Sequence, residues 1–309
     1  MQHLRLLPLW FTLLLLALGC RRDGDPTAPD NFSAELPDRL LGEPAEAAFF
    51  VDIAGIRRDA VYGPVLAQGR AGPLGDDRYL RWIDRTIDRI DVWAVGVGAS
   101  RRELTGVAVL RSGRVRETDF GPGGVPFRAE RRLELPTGAV MFVVESHGVQ
   151  SALFLVDGSV VLAAGAAVAP TQLHFSRSRE LPPPQGAGHR ALAGAYGRSP
   201  ALDDLGGYWG RAGSASVVWG AGRRGDIVAT ATFVDDDSAS RATRWADELP
   251  EVSAEYRRRC PTLGDLVIDV ERRHRTVTVR VTGVRAVLEA ALHDRLCEGR
   301  SLSPASPPA

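Results

Sequence analysis

Apolar positions recur with a period of two over most of the chain and with a helical period in a few stretches, which predicts a mixed protein dominated by strands. In the first half, residues 48–53 (AFFVDI) read as a short buried strand, and 56–68 as a helix with Pro64 as a kink. Residues 76–90 (DDRYLRWIDRTIDRI) form the clearest amphipathic pattern. Tyr79, Leu80, Ile83, Ile87 and Ile90 fall on one helical face, and Asp76 and Asp77 stand where a helix dipole favours carboxylates. Strands follow at 92–98, 104–110, 127–135, 140–145, 152–156 and 160–163. Asp157-Gly158 between the last two is a two-residue hairpin signal.

The second half is simpler. Residues 216–219 and 227–234 predict a hairpin, and 237–258 a helix capped by the 235–238 cluster and broken at Pro250. A second hairpin follows at 266–270 and 276–281, then a last helix at 284–296. The order ββαββα implies antiparallel pairs with helices on one face. Three successive prolines open the stretch Pro182 to Gly188, and prolines neither donate to a ladder nor continue a helix. That stretch divides the chain into an N-terminal lobe (47–181), a linker (182–189) and a C-terminal lobe (190–297). Residues 21–46 and 298–309 hold too few large apolar groups to bury themselves, and read as a tether and a tail. A weak internal echo runs through VGVGASRRELTGVAVL, VVWGAGRRGDIVATATF and VIDVERRHRTVTVRV. Each reads strand, Arg pair, strand.

Composition adds exclusions. The chain has 309 residues, is 44% hydrophobic and 25% charged, and so is neither disordered nor fibrous as a whole. Its 38 basic residues, every one Arg, balance 38 acidic ones, so no nucleic-acid partner is indicated.

The N-terminus carries the strongest functional signal. His3 and Arg5 precede an apolar run from Leu6 to Leu18, whose thirteen residues would span only about 20 Å as a helix. That is short of a ~30 Å hydrocarbon core, and favours a signal peptide (1–19) over a transmembrane helix. The run ends in Ala17-Leu18-Gly19-Cys20, which resembles the lipobox of bacterial lipoproteins. The resemblance implies cleavage before Cys20, a lipid on its thiol and usually an acylated amine. It therefore implies a membrane-held chain with residues 20–46 as a lipid-anchored tether. Arg21 stands where Asp retains such proteins at the inner membrane, so the periplasmic face of an outer membrane is favoured if the source is Gram-negative. Beyond this segment the pattern is similar only to bacterial lipoproteins of no known activity.

With Cys20 lipidated, Cys260 and Cys297 remain. In an oxidising compartment an even pair favours a disulfide, here closing a loop of about 37 residues for ~3–4 kcal/mol in the chain-entropy model.

Several motifs resemble sites and lack the required context. Residues 220–225 spell G-x-G-x-x-G, but the β-branched DIVATATFV follows where a dinucleotide site needs a helix. Asp235, Asp236 and Asp237 lack the spacing of a calcium loop and fit a helix cap. His147, His174, His189, His274 and His293 show no metal-ligand spacing, and no G-x-S-x-G elbow is present. No catalytic residue, metal or cofactor is therefore assigned. Two surface candidates remain. The pairs Arg101-Arg102, Arg223-Arg224 and Arg272-Arg273 could meet anionic headgroups or glycan, or simply be solvated hairpin tips. Tyr208, Trp209 and Trp219 could form an aromatic platform, or pack in the core.

The expectation is an α+β fold, mainly antiparallel sheet with covering helices, in two lobes. The expected role is non-enzymatic binding or scaffolding in the cell envelope, with an envelope protein or glycan as partner. The alternative is a periplasmic hydrolase with a site assembled from distant residues, which sequence spacing does not reveal.

Overall fold

The structure, a computed structural model, describes residues 35–64, 67, 78–95, 105–120, 129–146, 149–185, 191–198, 212–220, 226–259 and 266–292. The fold is α+β. Twelve strands form one sheet in the order β11-β12-β10-β9-β8-β1-β2-β3-β7-β6-β5-β4, and every neighbouring pair is antiparallel.

The first half contains β1 (Ala47–Val51), β2 (Arg89–Val95), β3 (Thr105–Arg111), β4 (Ala129–Glu134), β5 (Val140–Ser146), β6 (Val149–Val156) and β7 (Ser159–Ala164). Its helices are α1 (Glu35–Leu41), α2 (Ile53–Arg58), α3 (Arg78–Thr86) and α4 (Val168–Phe175). The second half contains β8 (Ala191–Arg198), β9 (Ala212–Gly220), β10 (Ile227–Phe233), α5 (Asp236–Arg259), β11 (Val267–Arg273), β12 (Thr276–Thr282) and α6 (Val284–Leu292). After β8 the order is ββαββα, as the hydropathy pattern predicts.

Alternation along the strands gives the sheet two chemically distinct faces. On one face of the first half, Trp93, Val107, Val109, Phe154 and Val161 pack beneath Leu40 and Leu41 of α1 and Phe175 of α4. On the opposite face, Leu110, Phe142, Leu153 and Val160 pack beneath Ile53, Ile87 and Phe120, with Trp82 and Ile83 of α3 against them. In the second half, Ala239 and Ala242 of α5 meet Ala215, Phe233 and Val277 on one face. Registers extend the other face into rows of hydroxyls, Ser216–Thr230–Thr278 and Ser214–Thr232–Thr276. Thr230 and Thr278 approach to 3.4 Å, and Thr232 and Thr276 to 3.1 Å. Ser216 is buried in these rows and the other five are half-buried. The edge strands β4 and β11 carry Arg131, Arg132 and Glu134, and Asp269, Glu271, Arg272 and Arg273, charges that oppose edge-to-edge association.

The two halves share a connectivity. In each, a three-strand meander (β1-β2-β3, β8-β9-β10) is extended by a later hairpin whose second strand, β7 or β12, pairs with the third. A helix then follows, α4 or α6. Because β1 and β8 pair antiparallel, the repeats are related by a two-fold arrangement about that seam. Two of the echoed segments, β2–β3 and β9–β10, occupy equivalent hairpins.

Five expectations need correction. The tether does not extend to residue 46: α1 lies within it, with Leu36, Leu40 and Leu41 buried, because three leucines at helical spacing suffice to seat a short helix against a core. The helix expected at 56–68 is interrupted earlier than at Pro64: α2 ends at Arg58, Asp59 accepts from the amides of Val61 (2.8 Å) and Tyr62 (3.1 Å), and residues 62–64 and 67 are helical again. Residues 89 and 90 belong to β2 and not to the preceding helix, since Arg89 and Ile90 pair with Arg111 and Leu110. Helix α5 runs unbroken through Pro250. The triproline stretch crosses the sheet as a partly buried strap, with Pro182 and Gln185 buried. Residues without an N–H suit such a crossing because they leave fewer donors to satisfy.

Candidate functional site

The most concentrated polar chemistry in the described chain lies under that strap. Asp91 shares a strand face with Trp93 and Val95, so the alternation that buries those side chains buries the carboxylate as well; it is fully buried. Arg89 and Arg111 stand directly opposite one another on β2 and β3, a like-charge pairing that is unfavourable alone. Asp91 offsets it. Arg89 Nε donates to Oδ1 at 3.0 Å, and Arg111 Nε to Oδ2 at 2.6 Å. The Gln185 amide also donates to Oδ1, at 3.1 Å.

The outer guanidinium nitrogens face the strap, Arg111 donating to the Pro182 carbonyl and Arg89 to the Gln185 carbonyl. Arg89 also stacks 4.5 Å from the Phe50 ring centroid. Gln185 Nε2 reaches back to the carbonyls of Phe49 and Val92, each at 3.2 Å, leaving its Oε1 buried without a partner. With three donors on one carboxylate, Asp91 is committed to holding the strap. The alternating pattern of Arg89, Asp91 and Trp93 was the available signal for this cluster.

A second cluster lies on the other face where the halves meet. Trp219 at the end of β9 donates its indole N–H to the Tyr62 hydroxyl at 3.1 Å, with the rings edge-on at 4.4 Å and 77°. Arg285 of α6 pairs with Asp59 at 3.2 Å. Trp219 is thus half-buried and engaged with Tyr62; Tyr208 and Trp209 lie outside the described residues. Burial raises the Tyr62 pKa, and the Trp219 bond only partly counters it. Tyr62 therefore stays protonated in the fold at a pH where the unfolded chain ionises, and its contribution is lost as pH rises from about 10 through the raised value. Tyr62→Phe is expected to flatten the alkaline limb of a stability–pH curve, measured by urea denaturation. Trp219→Phe is expected to cost about 1 kcal/mol, through the lost bond to a buried hydroxyl, in the same assay.

Of the three arginine pairs, Arg272-Arg273 lies among the described residues. Arg272 reaches Ser240 at 2.8 Å and the His274 carbonyl at 2.8 Å, and Arg273 pairs with Glu271 at 2.6 Å. Arg101, Arg102, Arg223 and Arg224 lie outside the described residues.

Cys20, Cys260, Cys297, His147, His189 and His293 also lie outside the described residues. Gly220 leads into β10 and not into a helix, its amide bonding the Asp226 carbonyl at 2.9 Å. Asp235 caps α5, accepting from Ser238 N at 2.6 Å. Among the described residues, no three His, Cys, Asp or Glu side chains are placed to share a metal ion, and no helix is long and apolar enough to cross a membrane. No protein-family model matches the chain, and neither a curated protein nor a solved structure is significantly similar to it.

Proposed function

We propose that this is a lipid-anchored cell-envelope protein whose folded part has a non-enzymatic binding or scaffolding role. The observation that carries the reading is Gly19-Cys20 closing a short apolar run and followed at once by Arg21-Arg22-Asp23. Buried acyl chains contribute about 0.8 kcal/mol per CH₂, so two or three of them hold a folded domain on a bilayer.

The position of α1 sets the reach of such an anchor. Residues 21–34 are the only chain between Cys20 and the core, and fourteen residues extend at most about 50 Å. The sheet would therefore work close to the membrane surface. The hydroxyl rows of the second half, half-buried apart from the buried Ser216, supply hydrogen-bonding groups suited to contact with another envelope component. Arg21 after the lipidated cysteine favours the outer membrane where there are two.

The test is the intact mass of the protein extracted from membranes, with and without reduction before alkylation. The expected mass begins at Cys20 and carries diacylglycerol and acyl chains, and Cys20→Ser is expected to move the protein to the soluble fraction. Two alkylations seen only after reduction would establish the Cys260–Cys297 bridge. An unlipidated mass beginning elsewhere overturns the anchor.

A further inference from the structure

On the sheet face that carries α3 and α5, an aromatic side chain stands exposed between two buried clusters. The cluster under α2 and α3 reaches Val51 and Ile90, and the cluster under α5 begins at Ala215. Between them runs the row Val92–Phe49–Ala195–Val217, on β2, β1, β8 and β9, which belongs to neither. Strand β1 is interior, paired on both sides, and its Phe50 is only 2% exposed, yet Phe49 on this face is 38% exposed. Val92 and Val217 are half-buried, and Ala195 is buried between the larger Phe49 and Val217.

The chemistry around Phe49 is uniform. The rows on either side, on the same four strands, hold only Ala, Gly, Val, Ile and Trp. These three rows present no charge, and their single side-chain polar group, the Trp219 indole N–H, is bonded to Tyr62. At about 4.8 Å between strands and 3.4 Å per residue, they cover roughly 14 by 14 Å, on the order of 200 Å². A stable protein interface buries about 800 Å² a side, so the patch is too small to seat a folded partner. It matches the ~150–250 Å² of one large apolar group. A charged or hydroxylated group laid on it would lose water and find no partner, so what fits is hydrocarbon.

We propose that the face centred on Phe49 is a lipid-binding site that takes one acyl chain over Val92, Phe49, Ala195 and Val217. This gives a ligand class to the binding role proposed above; it rests on that role and not on the anchor at Cys20. Two sources share the chemistry. One is an acyl chain of a membrane lipid. The other is a chain on Cys20 itself, which the tether of fourteen residues lets range up to about 50 Å from α1.

Photo-crosslinking tests this on the full chain, expressed in cells fed a diazirine-bearing fatty acid and irradiated in its own membranes. Adducts mapped by mass spectrometry are expected on 47–51, 90–94 and 215–219, and to be sparse on the charged edge strands 129–134 and 267–273. A link to the Cys20 peptide assigns the chain to the anchor, and an adduct of lipid mass assigns it to a membrane lipid; either upholds the proposal. Phe49→Asp puts a carboxylate where the chain lies and is expected to lower these adducts about tenfold. Val92→Thr/Val217→Thr keeps side-chain size and strand preference, and is expected to lower them severalfold without moving the urea midpoint. Adducts no denser on 47–51 and 215–219 than on the edge strands overturn the proposal, as do adducts undiminished in both variants. The anchor fails separately: a Cys20 peptide without lipid, found together with labelled 47–51, overturns the anchor and upholds the site.

Discussion

Asp91→Ala is expected to remove about 3–5 kcal/mol of stability, measured as the fall in unfolding free energy in urea, because it leaves two arginines and a buried amide around a missing charge. The geometry makes this the costliest polar truncation in the described chain. Arg89 and Arg111 are cross-strand neighbours, with side chains only 14% and 17% exposed, so neither can turn fully to water. The Gln185 amide, also buried, loses its acceptor. Asp91→Asn separates the contributions. It keeps one acceptor oxygen and the shape of the side chain, but turns an NH₂ towards a guanidinium N–H. Its expected loss is smaller than that of the alanine variant and still above 1 kcal/mol, the price of a buried donor facing a donor. If Asp91→Ala costs under about 1 kcal/mol, the cluster is solvated in solution and the strap does not seal it.

The strap also shows what a linear sequence conceals. Three prolines have the composition of a linker, and their local physics is the same in a solvated linker and in a buried crossing. The difference lies in Asp91, Arg89 and Arg111, which are more than seventy positions upstream of Gln185 and show their purpose only once β2 and β3 are paired. Strand β8 was hidden for a related reason. ALAGAYGR has poor intrinsic strand preference, and it is a strand because β1 and β9 satisfy its backbone on both sides. Helix α4 carries Pro170 in its first turn, where a proline is tolerated, so a residue that usually signals a break does not do so here.

Local signals were legible wherever the physics was local. The hydropathy alternation at 227–234 and 276–281 and the Asp235 cap predict the second half in order, and nothing distant overrides them. Of the surface candidates, Trp219 was visible for its aromatic ring, but whether it faces solvent depends on Tyr62, which lies 157 positions away. The hydroxyl rows on β9, β10 and β12 are a product of register, which sequence alternation fixes within a strand and leaves open between strands.

The Asp157-Gly158 turn joins the two kinds of information, and Gly158→Val is expected to cost about 3 kcal/mol, combining backbone strain with a clash against main chain. The dipeptide predicts a turn with both residues left-handed, and the structure has φ 49° at Asp157 and 70° at Gly158. That accounts for glycine through conformation alone, and conformation alone would allow asparagine at modest cost. The packing adds a stronger demand. A Cβ on Gly158 would lie 2.5 Å from the Gly113 carbonyl carbon and 2.6 Å from its oxygen. Gly113 is itself left-handed, at φ 71°, and the Gly158 carbonyl accepts from Val115 N at 3.0 Å. The β6–β7 turn is thus pressed against the chain leaving β3, and neither backbone can yield without disturbing the β3–β7 ladder. Gly158→Asn, which satisfies the turn but not the contact, is therefore expected to lose nearly as much as valine in thermal and urea unfolding. An asparagine variant within about 0.5 kcal/mol of the parent would show that the turn conformation, and not the close approach to Gly113, is what requires glycine.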